Sequence, residues 1–270
     1  MASRKQDPGP EPLTPRWVGA WLREHRALWR PLPPHLRRWA RNYRRSHGSH
    51  FRMVAGLMRE INAERPVERV LEVGSVPGYV AALAAGAGFE VEIVDLDPDR
   101  VASVYAELGI RTHRADIEHE PLPVPDASFD LVLLCQTLEH LRVDPLRPLA
   151  EAARVLRPGG TAIVSIPQIT PLMRWRFLRG DDLFNDPVRQ RRKLERIGHP
   201  GDHRLYSRRQ LEGMIEWAGL EVVDVRPGGG FRGEQPGLVA AALRRLRPRA
   251  MQASLYALAR RPSERGRASL

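Results

Sequence analysis

RVLEVGSVPGYVAALAAGAGFEVEIVDLDP, residues 69–98, decides the fold of this chain. Val70, Leu71 and Val73 form a short apolar run of the kind shown by a parallel strand buried on both faces. Gly74 follows where the chain must turn. Gly78 permits close backbone approach to a ligand at the start of an Ala-rich helix expected over residues 80–87. A second strand, expected over residues 90–94, delivers Asp95 21 residues after Gly74, where a carboxylate can accept both hydroxyls of a ribose. Strand, glycine turn, helix and acid-ended strand make half of a nucleotide-binding α/β domain.

The turn narrows the ligand. A dinucleotide loop G-x-G-x-x-G requires glycine at 74, 76 and 79, whereas the chain has Gly74, Val76 and Tyr79. Val76 and Pro77 obstruct the close approach a pyrophosphate needs, so a nucleoside ligand without a phosphate is favoured.

Three further motifs follow in order. Asp116 closes RTHRAD after an expected third strand. DASFDLVLLCQTLEHL, residues 126–141, reads as an acidic turn, a fourth strand and a loop entering a helix. LRPGGTAIVSIP, residues 156–167, reads as a helix end, a Gly-Gly turn and a fifth strand. In this order the chain resembles the class I S-adenosylmethionine-dependent methyltransferases, especially the broad group that includes the ubiquinone-biosynthesis O-methyltransferases. The resemblance is strong over residues 67–167 and weak over 203–243.

It implies a Rossmann-like α/β fold: a mostly parallel seven-stranded sheet with helices on both faces and an antiparallel last strand. It also implies S-adenosylmethionine as cofactor. Glu72, Gly74 and Ser75 would hold its methionine end, with Gly78 opening the turn. Asp95 and Leu96 would take the ribose side, Asp116 and Ile117 the adenine edge and face, and Cys135, Gln136 and Thr137 the floor near the sulfonium. The positive sulfur makes the methyl group a good electrophile, so in-line positioning supplies most of the acceleration and a catalytic acid is not required. Val76 stands where the family usually has glycine, which presents a bulkier wall to the donor.

A chain of 270 residues fits one elaborated α/β domain, or one domain plus a small cap. It has no apolar run of 18 residues, and its first 16 residues read as a polar, Pro-rich, disordered tail rather than a signal peptide. The cytoplasm is the expected location. Cys135 is the single cysteine, which excludes an intramolecular disulfide framework and a cysteine-based zinc cluster. No metal site is expected.

Charge is divided unevenly: +9 over residues 1–69, −8 over 70–167 and +10 over 168–270. The basic flanks match acidic acceptors such as phosphorylated glycans, acyl-carrier proteins, RNA or anionic membrane surfaces. Only Lys5 and Lys193 are lysines, so a GC-rich coding bias toward arginine explains the same balance.

Outside the core, residues 17–66 read as an N-terminal helical cap or lid. Trp17, Trp21 and Leu28 lie near helical spacing, a Pro-rich break follows, and Leu36, Trp39, Ala40 and Tyr43 share one face. Phe51, Val54, Leu57, Met58 and Ile61 mark a third helix docking beside the first strand. Packing against the core is the plainest role for this cap; a lid over the substrate, a dimer contact or a membrane-surface element is the alternative.

Residues 67–243 form the expected methyltransferase domain, with a substrate-facing insertion over 170–206. That insertion carries Trp175, Phe177 and Phe184 with Arg189, Arg191, Arg192, Lys193 and Arg196. Aromatic residues mixed with arginine can clasp a planar or anionic acceptor; a solvated helix with a buried aromatic side is the commoner arrangement.

His199, His203 and Tyr206 follow, before an S-x-x-Q capping box at Ser207 and Gln210 for a helix over residues 208–217. Relatives carry a histidine near this place, which makes His203 the candidate base for an acceptor hydroxyl. A structural histidine bonded to a backbone carbonyl fits equally well. His140 reads as a site-lining or helix-orienting residue rather than a base. Trp175, His199 and Tyr206 complete the candidate substrate contacts. Strands are expected over 220–225 and, closing the sheet, over 238–243. A basic helix and tail are expected over 244–270.

The expected acceptor is a small molecule or a glycan- or carrier-linked group methylated at oxygen. RNA methylation through the basic flanks is the runner-up. A silent binding or scaffold protein that lost its donor site through Val76 is the third reading. A P-P-Y element and a Pro-Cys nucleophile, which mark two classes of nucleic-acid methyltransferase, do not occur in CQTLEH or before Cys135.

Overall fold

In a computed structural model, described here over residues 11–169, 171–180, 187–197, 201–228 and 254–263, seven strands form one sheet in the order β3-β2-β1-β4-β5-β7-β6. The opening motif folds as expected: β1 (Arg69–Val73), α4 (Tyr79–Gly86) and β2 (Glu90–Asp95), with β1 and β2 parallel and Val73 opposite Val94. β3 (Arg111–Arg114) pairs parallel beyond β2, and β4 (Phe129–Cys135) pairs parallel on the other side of β1. Every residue of β4 is buried, as its apolar run from Leu131 to Cys135 dictates for a central parallel strand.

β5 (Leu156–Pro167) contains the Gly-Gly pair instead of following it. Phe129 pairs with Leu156 but Leu131 with Thr161, so the extra residues bulge out of the ladder, with Gly159 at φ 77°.

The far edge differs from the sequence reading. β6 (Glu221–Gly228) lies where a strand was expected, but β7 (Ser254–Arg260), antiparallel to both β5 and β6, closes the sheet. The strand expected over 238–243 falls outside the described residues. SLYALAR lies within the stretch read as a basic helix and tail, yet Ser254 to Ala259 are buried between the two neighbouring strands. The surrounding arginines hid an apolar run that fits this slot.

The N-terminal segment is part of the core. α1 (Pro15–Glu24) is capped by the Thr14 hydroxyl, which accepts from Trp17 N–H at 3.2 Å, and Leu13, expected in a disordered tail, is buried. Val18, Trp21 and Leu22 of α1, Leu36 and Ala40 of α2 (Pro34–Ser46), and the expected apolar face of α3 (Gly48–Glu64) pack on the side of the sheet that carries α4. Gly86 leaves room for Trp21, whose ring a Cβ there would meet at less than van der Waals distance. On the opposite side, α6 (Arg147–Val155) and α9 (Arg208–Trp217) pack over Leu71, Val132 and Val164. The remaining helices are α5 (Ala102–Glu107), α7 (Pro171–Leu178) and α8 (Pro187–Ile197). Among the described residues, no helix is long and apolar enough to cross a membrane.

Candidate functional site

The carboxyl ends of β1, β2 and β4 meet where the strand order reverses, the usual place for a ligand in an open α/β sheet. Gly74 turns there at φ 77°, and a Cβ on it would lie 2.6 Å from Thr137 Cγ2. Thr137 Oγ1 donates to Val73 O at 2.9 Å, so the turn after β1 is fastened to the loop after β4. Only glycine meets both demands.

Glu72 lies buried beneath the turn. One of its carboxylate oxygens accepts from Ser75 Oγ at 2.6 Å and from Ala81 N–H at 2.8 Å, stapling the loop to α4. Burial nevertheless raises its pKa to about 8, against the pull of these two bonds. Asp95 is held on both oxygens, by Val76 N–H and by Asp97 N–H, each at 3.0 Å. Gln136, just past β4, adopts φ 57°, a left-handed conformation uncommon for a non-glycine residue. Its N–H donates to Ser165 O at 2.9 Å and its side-chain amide to Ser165 Oγ at 3.3 Å.

These groups surround a cavity of about 540 Å³. Glu72, Gly74, Ser75, Asp95, Leu96, Asp116, Ile117, Cys135 and Gln136 all line it, as do Thr137 and His140. Val76 lines the cavity without closing it. Asp116 is braced at the rim, accepting from Glu118 N–H at 3.1 Å with His119 Nδ1 3.0 Å away. Burial pushes the Cys135 thiol well above its ordinary pKa, so it stands as a neutral wall.

Other predicted site residues fall elsewhere. Gly78 does not line the cavity; at φ 80° it starts α4, and the space beside it is filled by the Tyr105 ring. Tyr206 is buried, its hydroxyl donating to Leu138 O at 3.3 Å. Trp175 is about half exposed on α7 and away from the cavity. His199 lies outside the described residues. His203 is tied to the loop after β4 by its N–H, which donates to Glu139 O at 2.7 Å, and its Nε2 accepts from Arg142 Nε at 3.1 Å. That bond occupies the nitrogen a base would use, and His203 does not line the cavity.

The N-terminal helices, read as a cap or lid, supply lining residues that the sequence reading did not name. Trp39, Tyr43, His50 and Phe51 line the cavity. The cap is clamped to the glycine turn: Trp29 Nε1 donates to Pro77 O at 2.9 Å, Trp29 stacks on Tyr79 at 4.1 Å, and Tyr79 OH donates to Ala40 O at 3.1 Å. The apolar periodicity of α2 was the available signal; it showed a buried face without showing what that face meets.

A second chamber, of about 380 Å³, shares Trp39, Tyr43, Gln136 and His140 with the first. It adds Asn42, His47, Glu139, Lys193 and Asp202. His140 Nδ1 lies 3.0 Å from Gly201 O and 3.4 Å from Asp202 Oδ1. A carbonyl only accepts, so the proton sits on Nδ1 and Nε2 is the acceptor nitrogen of the neutral ring. Burial lowers the pKa of His140, opposed by Asp202 and Gly201, which keeps the ring neutral near pH 7.

Glu139 is buried with one carboxylate oxygen unbonded, and burial, then the charge of Asp202, raises its pKa well above the carboxylate range. Glu139, His140 and Asp202 bring one donor atom each within 4.8 Å of one another, and among the described residues theirs is the only such grouping with the spacing to hold a metal ion. The sequence reading expected none.

Residues 71–164 match the model of a methyltransferase domain. A probable S-adenosylmethionine-dependent methyltransferase of Mycolicibacterium smegmatis is 37% identical over 171 residues, 59% of this chain and 60% of that protein. A ubiquinone biosynthesis O-methyltransferase of Xanthomonas campestris is 32% identical over 111 residues, 39% of this chain and 46% of that protein. The chain thus spans less than two thirds of either relative. A putative methyltransferase of Bacillus halodurans shares the fold, with a TM-score of 0.54 and 19% identity over 77% of this chain and 98% of that one.

Proposed function

We propose that this chain, whose core belongs to the class I S-adenosylmethionine-dependent methyltransferases, moves the donor's methyl group to an oxygen of a small-molecule, glycan or carrier-linked acceptor. The observation that carries this reading is the joining of two chambers at Tyr43, Gln136 and His140, one built for a nucleoside and one lined by polar groups. The first has a volume in the range of cofactor sites. Asp95, fixed by two backbone N–H groups, would accept the ribose hydroxyls. Asp116 and Ile117 would meet the edge and face of adenine. Glu72, whose raised pKa marks a carboxylate lacking a cation, would sit near the donor's positive end. The donor, once bound, supplies an electrophilic methyl on a positive sulfur.

The chain's own work is then positioning and proton removal. Trp39 and Tyr43 offer aromatic faces to the acceptor, and Asn42, Lys193 and Asp202 offer polar contacts. His140, not His203, takes the proton of the acceptor hydroxyl at Nε2, with Asp202 and Gly201 O stabilising the Nδ1 proton as charge develops. An oxygen target agrees with the name of the Xanthomonas relative. The scaffold reading loses its ground, because the Val76 N–H serves Asp95 and the valine leaves the cavity open.

Calorimetric titration with S-adenosylmethionine tests the donor site. Asp95→Ala is expected to weaken binding by about tenfold to a hundredfold, the loss of hydrogen bonds to a charged group. Saturable binding that this substitution leaves unchanged would refute the assignment.

A further inference from the structure

α2, α7 and α8 share a basic composition of which the methyl-transfer site uses only Lys193. Together they carry twelve arginine and lysine side chains and one acidic side chain, Glu195. Beside these charges stand large apolar groups in water: Trp175 is 52% exposed, Phe177 55%, Leu178 83% and Val188 55%. The Arg179 guanidinium lies 4.7 Å over the Trp175 ring, a cation held at an aromatic surface. Lone exposed apolar residues need no explanation, but three on one short helix that contains no acid do.

We infer that the basic, apolar-studded surface of α7 and α8 docks on an anionic lipid bilayer, with Trp175, Phe177, Leu178 and Val188 entering the interface and the arginines meeting acidic headgroups. Charge selects the occupant. A second copy of the same face would set like charges against each other, whereas a negative surface attracts them. Leu178 and Val188 have no ring to stack on a base, so RNA would leave them in water, whereas a bilayer accepts them. Arginine also buries its stem in apolar surroundings while keeping its head wet, which suits it to the bilayer boundary.

The α8 part of this surface adjoins the chambers, beside α2. Arg196 of α8 lines a surface hollow with Arg38, Trp39 and Asn42 of α2, while Lys193 lines the second chamber and Leu194 the first. Docking here would bring an acceptor displayed at a membrane to the second chamber. That consequence rests on the proposed activity; the docking does not.

Sedimentation of the full chain with vesicles of phosphatidylcholine alone, or mixed with phosphatidylglycerol, tests the docking without any methyl transfer. The expected result is association with the mixed vesicles that weakens as salt rises. The triple change Trp175→Ser, Phe177→Ser and Leu178→Ser should lower the partition coefficient by roughly tenfold or more, and Arg192→Glu with Arg196→Glu by a similar factor. None of the three α7 side chains lines the donor cavity, so unchanged calorimetric affinity for S-adenosylmethionine would show the triple variant to be folded. Equal partition onto neutral and anionic vesicles overturns the inference, as does full retention by the triple variant. Binding to a single-stranded RNA oligomer without binding to vesicles overturns it in favour of a nucleic-acid surface.

Discussion

The proposed donor side of the site and the proposed acceptor side are built in different ways. On the donor side, Gly74, Ser75, Val76 and Asp95 come from one strand-turn-helix-strand unit, and backbone groups do much of the holding: Val76 N–H and Asp97 N–H fix Asp95, and Ala81 N–H fixes Glu72. On the acceptor side, Trp39 and Tyr43 of α2, Glu139 and His140 after β4, Lys193 of α8 and Asp202 come from four separate stretches. A local unit announces itself in sequence. A site assembled from distant parts is read from the fold.

The largest expected effect tests which histidine belongs to the chemistry. His140→Gln should lower the rate of methyl transfer by about 10²–10⁴-fold at neutral pH, the usual worth of a positioned general base. His203→Gln should change it by no more than about threefold, since it severs only the Arg142 contact while the backbone bond to Glu139 O persists. Steady-state kinetics on both variants decides this, and equal losses would erase the distinction between the two loops.

Gly74 is the sharpest point on the donor side. Gly74→Ala should cost about 2–4 kcal/mol in urea unfolding, because it combines a positive φ with a side-chain collision. Thr137→Gly removes the collision but also the bond to Val73 O, so the comparison is with that single variant: in the Thr137→Gly background, Gly74→Ala should cost less, leaving the φ penalty alone. No cost in that background would mean that the left-handed conformation carries no strain here.

These two tests mirror what was legible. The glycine turn, Asp95 and the capping box at Ser207 and Gln210 are short-range arrangements, and residue type at fixed spacing specifies them. Glu139 and Asp202 lie far apart in sequence, and nothing in LEH or GDH announces that they face each other. His203 drew attention because it precedes an aromatic and a helix cap. That context reports an anchored loop, not the direction of a ring. β7 escaped for a related reason: a strand between two others needs little more than an apolar run of the right length, and the chain offers two such runs near its end.

A smaller effect, readable in pH, concerns Glu72. Its pKa rises from 4.5 to about 8 on folding, so between those values the folded state binds a proton that the unfolded state has released. The stability this contributes is fully present below 4.5, falls as pH rises, and is gone above about 8. His47 and His50 act with the opposite sign: burial lowers them to about 4 and about 3, so their contribution is present above 6.5 and lost on acidification. Thermal melts of Glu72→Gln against wild type isolate the carboxyl. The variant should gain on the order of 1–3 kcal/mol relative to wild type between the acid and alkaline ends of that window. A constant difference across it would place the Glu72 pKa near its ordinary value.

The smallest effect probes how the two sides are joined. Tyr206 OH donates to Leu138 O while His203 N–H and Arg204 N–H both reach Glu139 O at 2.7 and 3.2 Å, and these bonds help hold the 201–206 loop against the segment after β4. Tyr206→Phe keeps the buried ring and removes one of them, which should cost about 0.5–1.5 kcal/mol in denaturant unfolding. Donor affinity should be unchanged, since Tyr206 does not line that cavity. The acceptor side should respond, because Gly201 and Asp202, the partners of His140, sit on the same loop. A modest fall in kcat with unaltered donor binding is therefore expected. If donor affinity fell instead, the two halves would be one mechanical unit and the contrast between them would fail.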